Sequence, residues 1–221
     1  MSDLHYLPVS LGEAMDKLSI LDIKLDKITD SRRDNVQIEY NMLYEKLKAD
    51  ITKYTLYYNI MKIVNLEIWD MMNLLRDAEN YDHDYMVLCR DCMISNDVRF
   101  RIKNKINYIS NCSLKEQKGY KVMRILFDTR NKTIDLDHLM NPIKYYSFLY
   151  DEIVILTDDK KEFLQHFSYD PTVIITDTDA LVESFSYKKM FHLKNVEGDK
   201  NDLYKELEIT DEIIEKYFSN F

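Results

Sequence analysis

SLGEAMDKLSILDIKLDKI, Ser10 to Ile28, decides the first half of the fold. Ser10 and Glu13 have the S-x-x-E spacing of a capping box, with Pro8 just outside it. A hydroxyl there accepts an otherwise orphaned backbone N–H, so a helix is expected to start at this point. Leu11, Ala14, Leu18, Leu21, Leu25 and Ile28 follow at steps of three and four, which places them on one helical face as a bundle seam. Thr29–Asp34 breaks the period, and further helices are expected over 35–53, 56–79 and 85–110. Short links make successive helices antiparallel neighbours, so the expected architecture is an antiparallel four-helix bundle.

Beyond Lys121 the period changes. Val122–Asp128, Glu152–Thr157 and Thr172–Thr176 are short apolar runs rich in β-branched residues, each ending at Asp, Thr or Thr-Asp. Helical stretches lie between them at 136–150 and 160–167. Strand–helix–strand alternation implies a parallel sheet with right-handed crossovers. A helix over 180–185, a fourth strand over 190–193 and a single C-terminal helix over 203–218 complete the reading. The fold class is therefore mixed α+β: a helical bundle over 1–118, then a small Rossmann-like unit of three to four parallel strands over 119–221.

Composition removes several classes of function. Three glycines and three prolines in 221 residues disfavour a turn-rich β-sandwich, and neither the dinucleotide fingerprint nor the phosphate loop is present. The net charge of −9 is uneven: residues 1–120 carry 17 Lys and Arg against 19 Asp and Glu, and residues 121–221 carry 13 against 20. Neither half has the basic stripe of a phosphate-backbone binder, so nucleic acid is not an expected partner. No apolar run reaches the ~18 residues of a membrane span, and the opening MSDLHY lacks the features of a signal peptide. Three cysteines, an odd number, read as reduced thiols, and the expected location is cytoplasmic. Tyrosine and methionine are plentiful enough for a homo-oligomer face; the sequence leaves the oligomeric state open.

The fourth helix holds the most informative pattern. At about 100° per residue, Cys89, Cys92, Asn96, Arg99, Lys103 and Asn107 share one stripe. Leu88, Val98, Ile102, Ile106 and Ile109 flank it on one side, and Met86, Met93 and Phe100 on the other. Arg90, Asp97, Arg101, Lys105 and Tyr108 fall opposite and are expected to face solvent. Inward cations need partners. Asn65, Arg76 and Glu79 on the third helix are candidates, as are Glu13, Asp16, Lys17 and Lys24 on the first. Two readings stand: an ion-pair network that sets helix register, or a polar cavity where Arg99, Lys103 and Lys17 hold a carboxylate or phosphate. Cys89-x-x-Cys92 lies inside a helix without two further ligands at zinc spacing, so it reads as core thiols.

Four segments carry a resemblance: PVSLGEAMDKLSILDIK (Pro8–Lys24), VNLEIWD (Val64–Asp70) with Arg76 and Glu79, NDVRFRIKNKIN (Asn96–Asn107) and EQKGY (Glu116–Tyr120). Through them the N-terminal half resembles an uncharacterised helical family, a domain of unknown function found in bacteria and large DNA viruses. The resemblance picks out Glu13, Asp16, Lys17, Lys24, Asn65, Arg76, Asn96, Asp97, Arg99, Lys103, Asn107 and Lys118. Met72 stands where the family pattern carries Glu. The resemblance implies a setting in surface-polysaccharide synthesis, and host cytoplasm for a viral member; it implies no reaction.

In the second half Asp128, Asp158, Asp159, Asp177 and Asp179 follow the expected strands, at the edge where open parallel sheets bind ligands. Asp177-Thr178-Asp179 is similar to the D-x-D of metal-dependent glycosyltransferases, and the unit to a truncated domain of that type. That resemblance implies Mg²⁺ or Mn²⁺ held by Asp177 and Asp179, with Asp128 and Asp158; hard carboxylate oxygens suit these ions. An aspartate after a strand is also a common helix cap. Three functions follow. The first is an accessory or ligand-binding protein of surface-glycan or sugar-nucleotide metabolism, gripping a small anion or sugar nucleotide in the bundle. The second is a metal-dependent glycosyl- or phosphoryl-transferring enzyme, and the third a structural or oligomeric interaction protein.

Overall fold

The computed structural model describes residues 5–193 and 200–218, and the chain divides into two compact units, Met1–Gln117 and Lys118–Phe221. The first unit holds α1 (Leu11–Lys27), α2 (Arg32–Lys53), α3 (Thr55–Asp77) and α4 (His83–Ile109). The capping box works as its spacing implies: the Ser10 hydroxyl accepts the Glu13 N–H at 3.2 Å. Asp82 caps α4 in the same way, accepting the Tyr85 N–H at 3.0 Å.

The α1 helix packs against the other three helices, and α3 packs against α4. Met15, Leu18 and Leu21 of α1, Ile60, Met61 and Val64 of α3, and Ile102 and Ile106 of α4 are all at most 1% exposed. By contrast α2 buries Leu47 alone, so it lies outside a three-helix core. It joins α3 through Tyr54 with no intervening loop. After α4 the chain turns at Asn111, which has a φ of 53°. It then runs back along the helix, where the Asn104 side chain donates to the Glu116 carbonyl at 3.0 Å.

One expectation for α4 fails. Arg101 and Lys105, read as solvent-facing, are 5% and 1% exposed. Periodicity assigns one buried face to a helix; the last turns of α4 are buried on more than one, and long cationic side chains lay their hydrocarbon stems in such surroundings.

The second unit holds β1 (Arg124–Asp128), α5 (Leu136–Leu149), β2 (Glu152–Leu156), α6 (Lys160–Phe167), β3 (Val173–Thr176), α7 (Asp179–Glu183), β4 (Lys189–His192), α8 (Lys200–Glu206) and α9 (Asp211–Phe218). The strands form one all-parallel sheet in the order β3-β2-β1-β4. Side chains alternate between its faces. Ile125, Phe127, Ile153, Ile155 and Phe191 meet α5, α6 and α8 in the main core. Leu126, Val154 and Leu156 face Val182, Phe185 and Tyr187 on the other side. The chain steps outward from β1 to β3 and must return to place β4 beside β1. A right-handed return crosses the opposite face, which is where α7 lies.

The single C-terminal helix read over 203–218 is two helices. Leu207 and Ile209 both enter the core. Two residues apart, they point about 200° from one another on a continuous helix. The break at Glu208, with a φ of 55°, lets both be buried.

Candidate functional site

In the inward stripe of α4, the Asn107 Oδ1 accepts the Gly12 N–H at 2.7 Å. This bond ties the free N–H of the first turn of α1 to α4. The helices approach so closely that a Cβ on Gly12 would lie 2.3 Å from the Lys103 carbonyl oxygen. Lys103 Nζ sits 2.9 Å from a Glu13 carboxylate oxygen and 2.8 Å from one of Glu116. Deeper, Asn65 Nδ2 reaches Asp16 Oδ1 and the Ser19 hydroxyl, both at 2.8 Å. The Asn65 Oδ1 is thereby turned toward Arg99, whose Nη1 lies 3.5 Å away.

These contacts set the charges. Burial pushes the Asp16 carboxyl above its usual range, against the opposing pull of Asn65, Arg99 and Lys103. Burial also works against a charged Lys103, but its hydrogen bonds to Glu116 and Glu13 outweigh that and raise its pKa. Glu13, Asp16, Asn65, Lys103 and Asn107 therefore fall in one set of polar contacts between α1, α3 and α4, made of three separate groups. Glu116, Ser19 and Gly12 belong to it too and were not among the residues read as a site. Gly12 carried a signal, being one of three glycines in the chain and sitting where a helix begins.

Arg99 is placed differently. It borders a 160 Å³ cavity between α1, α3 and α4, with Asn65, Trp69, Met72 and Arg76 on the α3 side and Ile20 and Ile23 on the α1 side. Arg99 is half-buried and Arg76 exposed. Among the described residues neither makes an ion pair. Lys17 does not join them. It pairs with Glu39 of α2 at 2.7 Å and lines a separate 900 Å³ groove between α1 and α2. Lys24 is half-buried on α1, and Asn96 half-buried on α4, one turn before Arg99. Cys89 and Cys92 are free, half-buried thiols.

A family of unknown function, DUF6165, matches residues 6–129, more than half of the 221 residues. The chain belongs to the DUF6165 family. The DUF6165 match takes in all four long helices and the whole cavity lining, and runs on through β1. No curated protein and no solved structure is matched.

In this DUF6165 protein the aspartates of the sheet edge are engaged elsewhere. Arg130 grips Asp128 through Nε and Nη2 at 3.0 and 2.9 Å and reaches Asp179 through Nη1 at 2.7 Å. The guanidinium holds the Asp128 carboxyl below its usual pKa. Asp158 accepts the Asn131 N–H at 2.6 Å, and Asp159 caps α6 through the Glu162 N–H at 2.9 Å. Asp177 lies 3.8 Å from Lys160 Nζ. Two of the four expected metal ligands, Asp128 and Asp179, thus share one guanidinium. Among the described residues no three His, Cys, Asp or Glu are grouped to hold a metal. The residues present do not fit Mg²⁺ or Mn²⁺. No helix of the described residues is long and apolar enough to cross a membrane.

Proposed function

We propose that this protein binds a small anion between α1, α3 and α4, gripped by Arg99 and Arg76. One contrast carries the reading. Lys103, one turn along α4 from Arg99, has two carboxylates within 3 Å, whereas among the described residues the two guanidiniums at the cavity have no ion pair. A half-buried unpaired cation costs folding free energy that an anionic ligand returns, and a guanidinium fork matches a carboxylate or phosphate bidentately. The rest of the stripe supports the structural reading: the Glu13–Lys103–Glu116 cluster sets helix register. The surface-glycan setting implied by the resemblance puts sugar nucleotides among the compounds to test. The 160 Å³ cavity admits one charged group of such a molecule, not the whole.

Calorimetric titration of the full chain with phosphate, sulfate, simple carboxylates and sugar nucleotides tests this, with thermal melts alongside. A bound anion raises the melting temperature as its concentration exceeds Kd. Arg76→Gln, at an exposed position, is expected to abolish binding while leaving the unliganded melt in place. Met72→Glu supplies an internal carboxylate four residues from Arg76 and should do the same. If no anion binds, or if Arg76→Gln binds as the parent does, the reading is wrong.

A further inference from the structure

The site that Arg76 and Arg99 line is selective by its walls as well as its charges, and we infer that its ligand is a monocarboxylate with a compact apolar or aromatic body rather than a phosphate. The inference rests on the proposed anion site and names the class of anion it takes.

Every residue lining the cavity lies in a helix, and all but Arg76, in the last turn of α3, lie well inside one. Interior backbone N–H groups are committed to their own helices, so no loop amide or helix N-terminus is offered. Asn65 adds no donor either. Its Nδ2 is spent on Asp16 and Ser19, leaving a carbonyl oxygen toward Arg99. That oxygen orients the guanidinium and would repel an anion that came to it directly. The donors that remain are the two forks and the Trp69 indole N–H. Two carboxylate oxygens can be met by them; a phosphate carries further oxygens, which would be turned toward the apolar wall.

The remaining wall is largely apolar. Ile20, Ile23, Ile68 and Met72 contribute it, with the Trp69 indole. Desolvating a phosphate against such a surface is unfavourable, whereas an apolar body gains there. Size sets the upper limit: a dry cavity of about 150 Å³ takes a benzene ring, and this one measures 160 Å³. Along α3, Asn65, Trp69, Met72 and Arg76 run down one face, from buried Asn65 to exposed Arg76. Arg99 lies beside Asn65, and Arg76 borders the same cavity from the last turn of α3.

The test titrates the full chain by calorimetry with acetate, benzoate, cyclohexanecarboxylate, phosphate and benzyl alcohol. Benzoate or cyclohexanecarboxylate should bind roughly tenfold or more tighter than acetate, because of the buried body. Phosphate and benzyl alcohol should bind more weakly than either. Ile68→Trp, which fills the apolar part, should weaken benzoate binding far more than acetate binding. Phosphate binding tightest in an Arg76-dependent manner would overturn this inference and leave the anion site standing. Benzyl alcohol matching benzoate would overturn it, and no binding by any compound would sink both.

Discussion

Gly12 sits where α1 meets the backbone of α4. A methyl group there would meet the Lys103 backbone at 2.3 Å from its oxygen and 2.8 Å from its carbon, and backbone cannot rotate away as a side chain does. Gly12→Ala gains up to about 1 kcal/mol of helix propensity, yet overpacking should outweigh it and leave a net loss of roughly 2 kcal/mol or more, read from urea melts. An unchanged or raised midpoint would show that α1 and α4 have room to part. Lys103→Met removes the cation shared by Glu13 and Glu116 and leaves buried Asp16 with less compensation. Since both glutamates are partly exposed, the expected loss is about 1–3 kcal/mol, below that of a fully buried pair. Asp16 titrates with the opposite sign to an ordinary salt-bridged carboxylate. Its folded pKa lies above the ordinary aspartate value of 3.8, so the native state holds the proton more tightly than the unfolded chain. Its contribution to stability therefore grows as pH falls from the raised value toward 3.8 and is lost as pH rises through that window. Asp16→Asn should be at least as stable as the parent at neutral pH, and its relative advantage should shrink on acidification. A difference that stays flat from pH 7 to 4 would count against a raised Asp16.

At the scale of elements, α2 and α3 are of similar length but unequal anchorage. The 22 residues of α2 bury one side chain, while α3 buries five, including Tyr58, Ile60, Met61 and Val64. Local opening follows buried contacts, so α2 amides should exchange with solvent before those of α1, α3 and α4. Leu47→Ala should cost about 1–2 kcal/mol and Ile60→Ala about 3–4 kcal/mol. Equal exchange in α2 and α3 would show that α2 is held by more than Leu47. The same inequality limited the reading of α4. Helical phase picked out Asn96, Arg99, Lys103 and Asn107 as one row, and the structure puts Lys103 and Asn107 at the contact with α1. Phase could not show that Arg101 and Lys105 are buried as well, because a period describes one face and carries no record of what packs on the others.

At the scale of the molecule, each unit has its own buried set, and in the second the main core joins the sheet to α5, α6, α8 and the 207–209 turn. Expressed alone, residues 118–221 are expected to give the dispersed amide spectrum of a folded parallel sheet; a collapsed spectrum would show that the sheet needs the rest of the chain. Much of this was determined by the sequence itself. The capping box at Ser10, the three- and four-residue steps of α1, and the β-branched runs at β1, β2 and β3 are local signals, set by backbone geometry within a few residues, and they specify helices followed by a parallel sheet. Pairing belongs to the tertiary structure. Whether a cation meets a carboxylate depends on residues about 90 positions apart, as with Lys103 and Glu13. Whether strand-end aspartates meet a metal or a guanidinium depends on where Arg130 falls relative to Asp179. Charge and periodicity name which groups need a counter-charge; only the packing of helices decides that Lys103 has found its own within the chain and that Arg99 and Arg76 face a cavity.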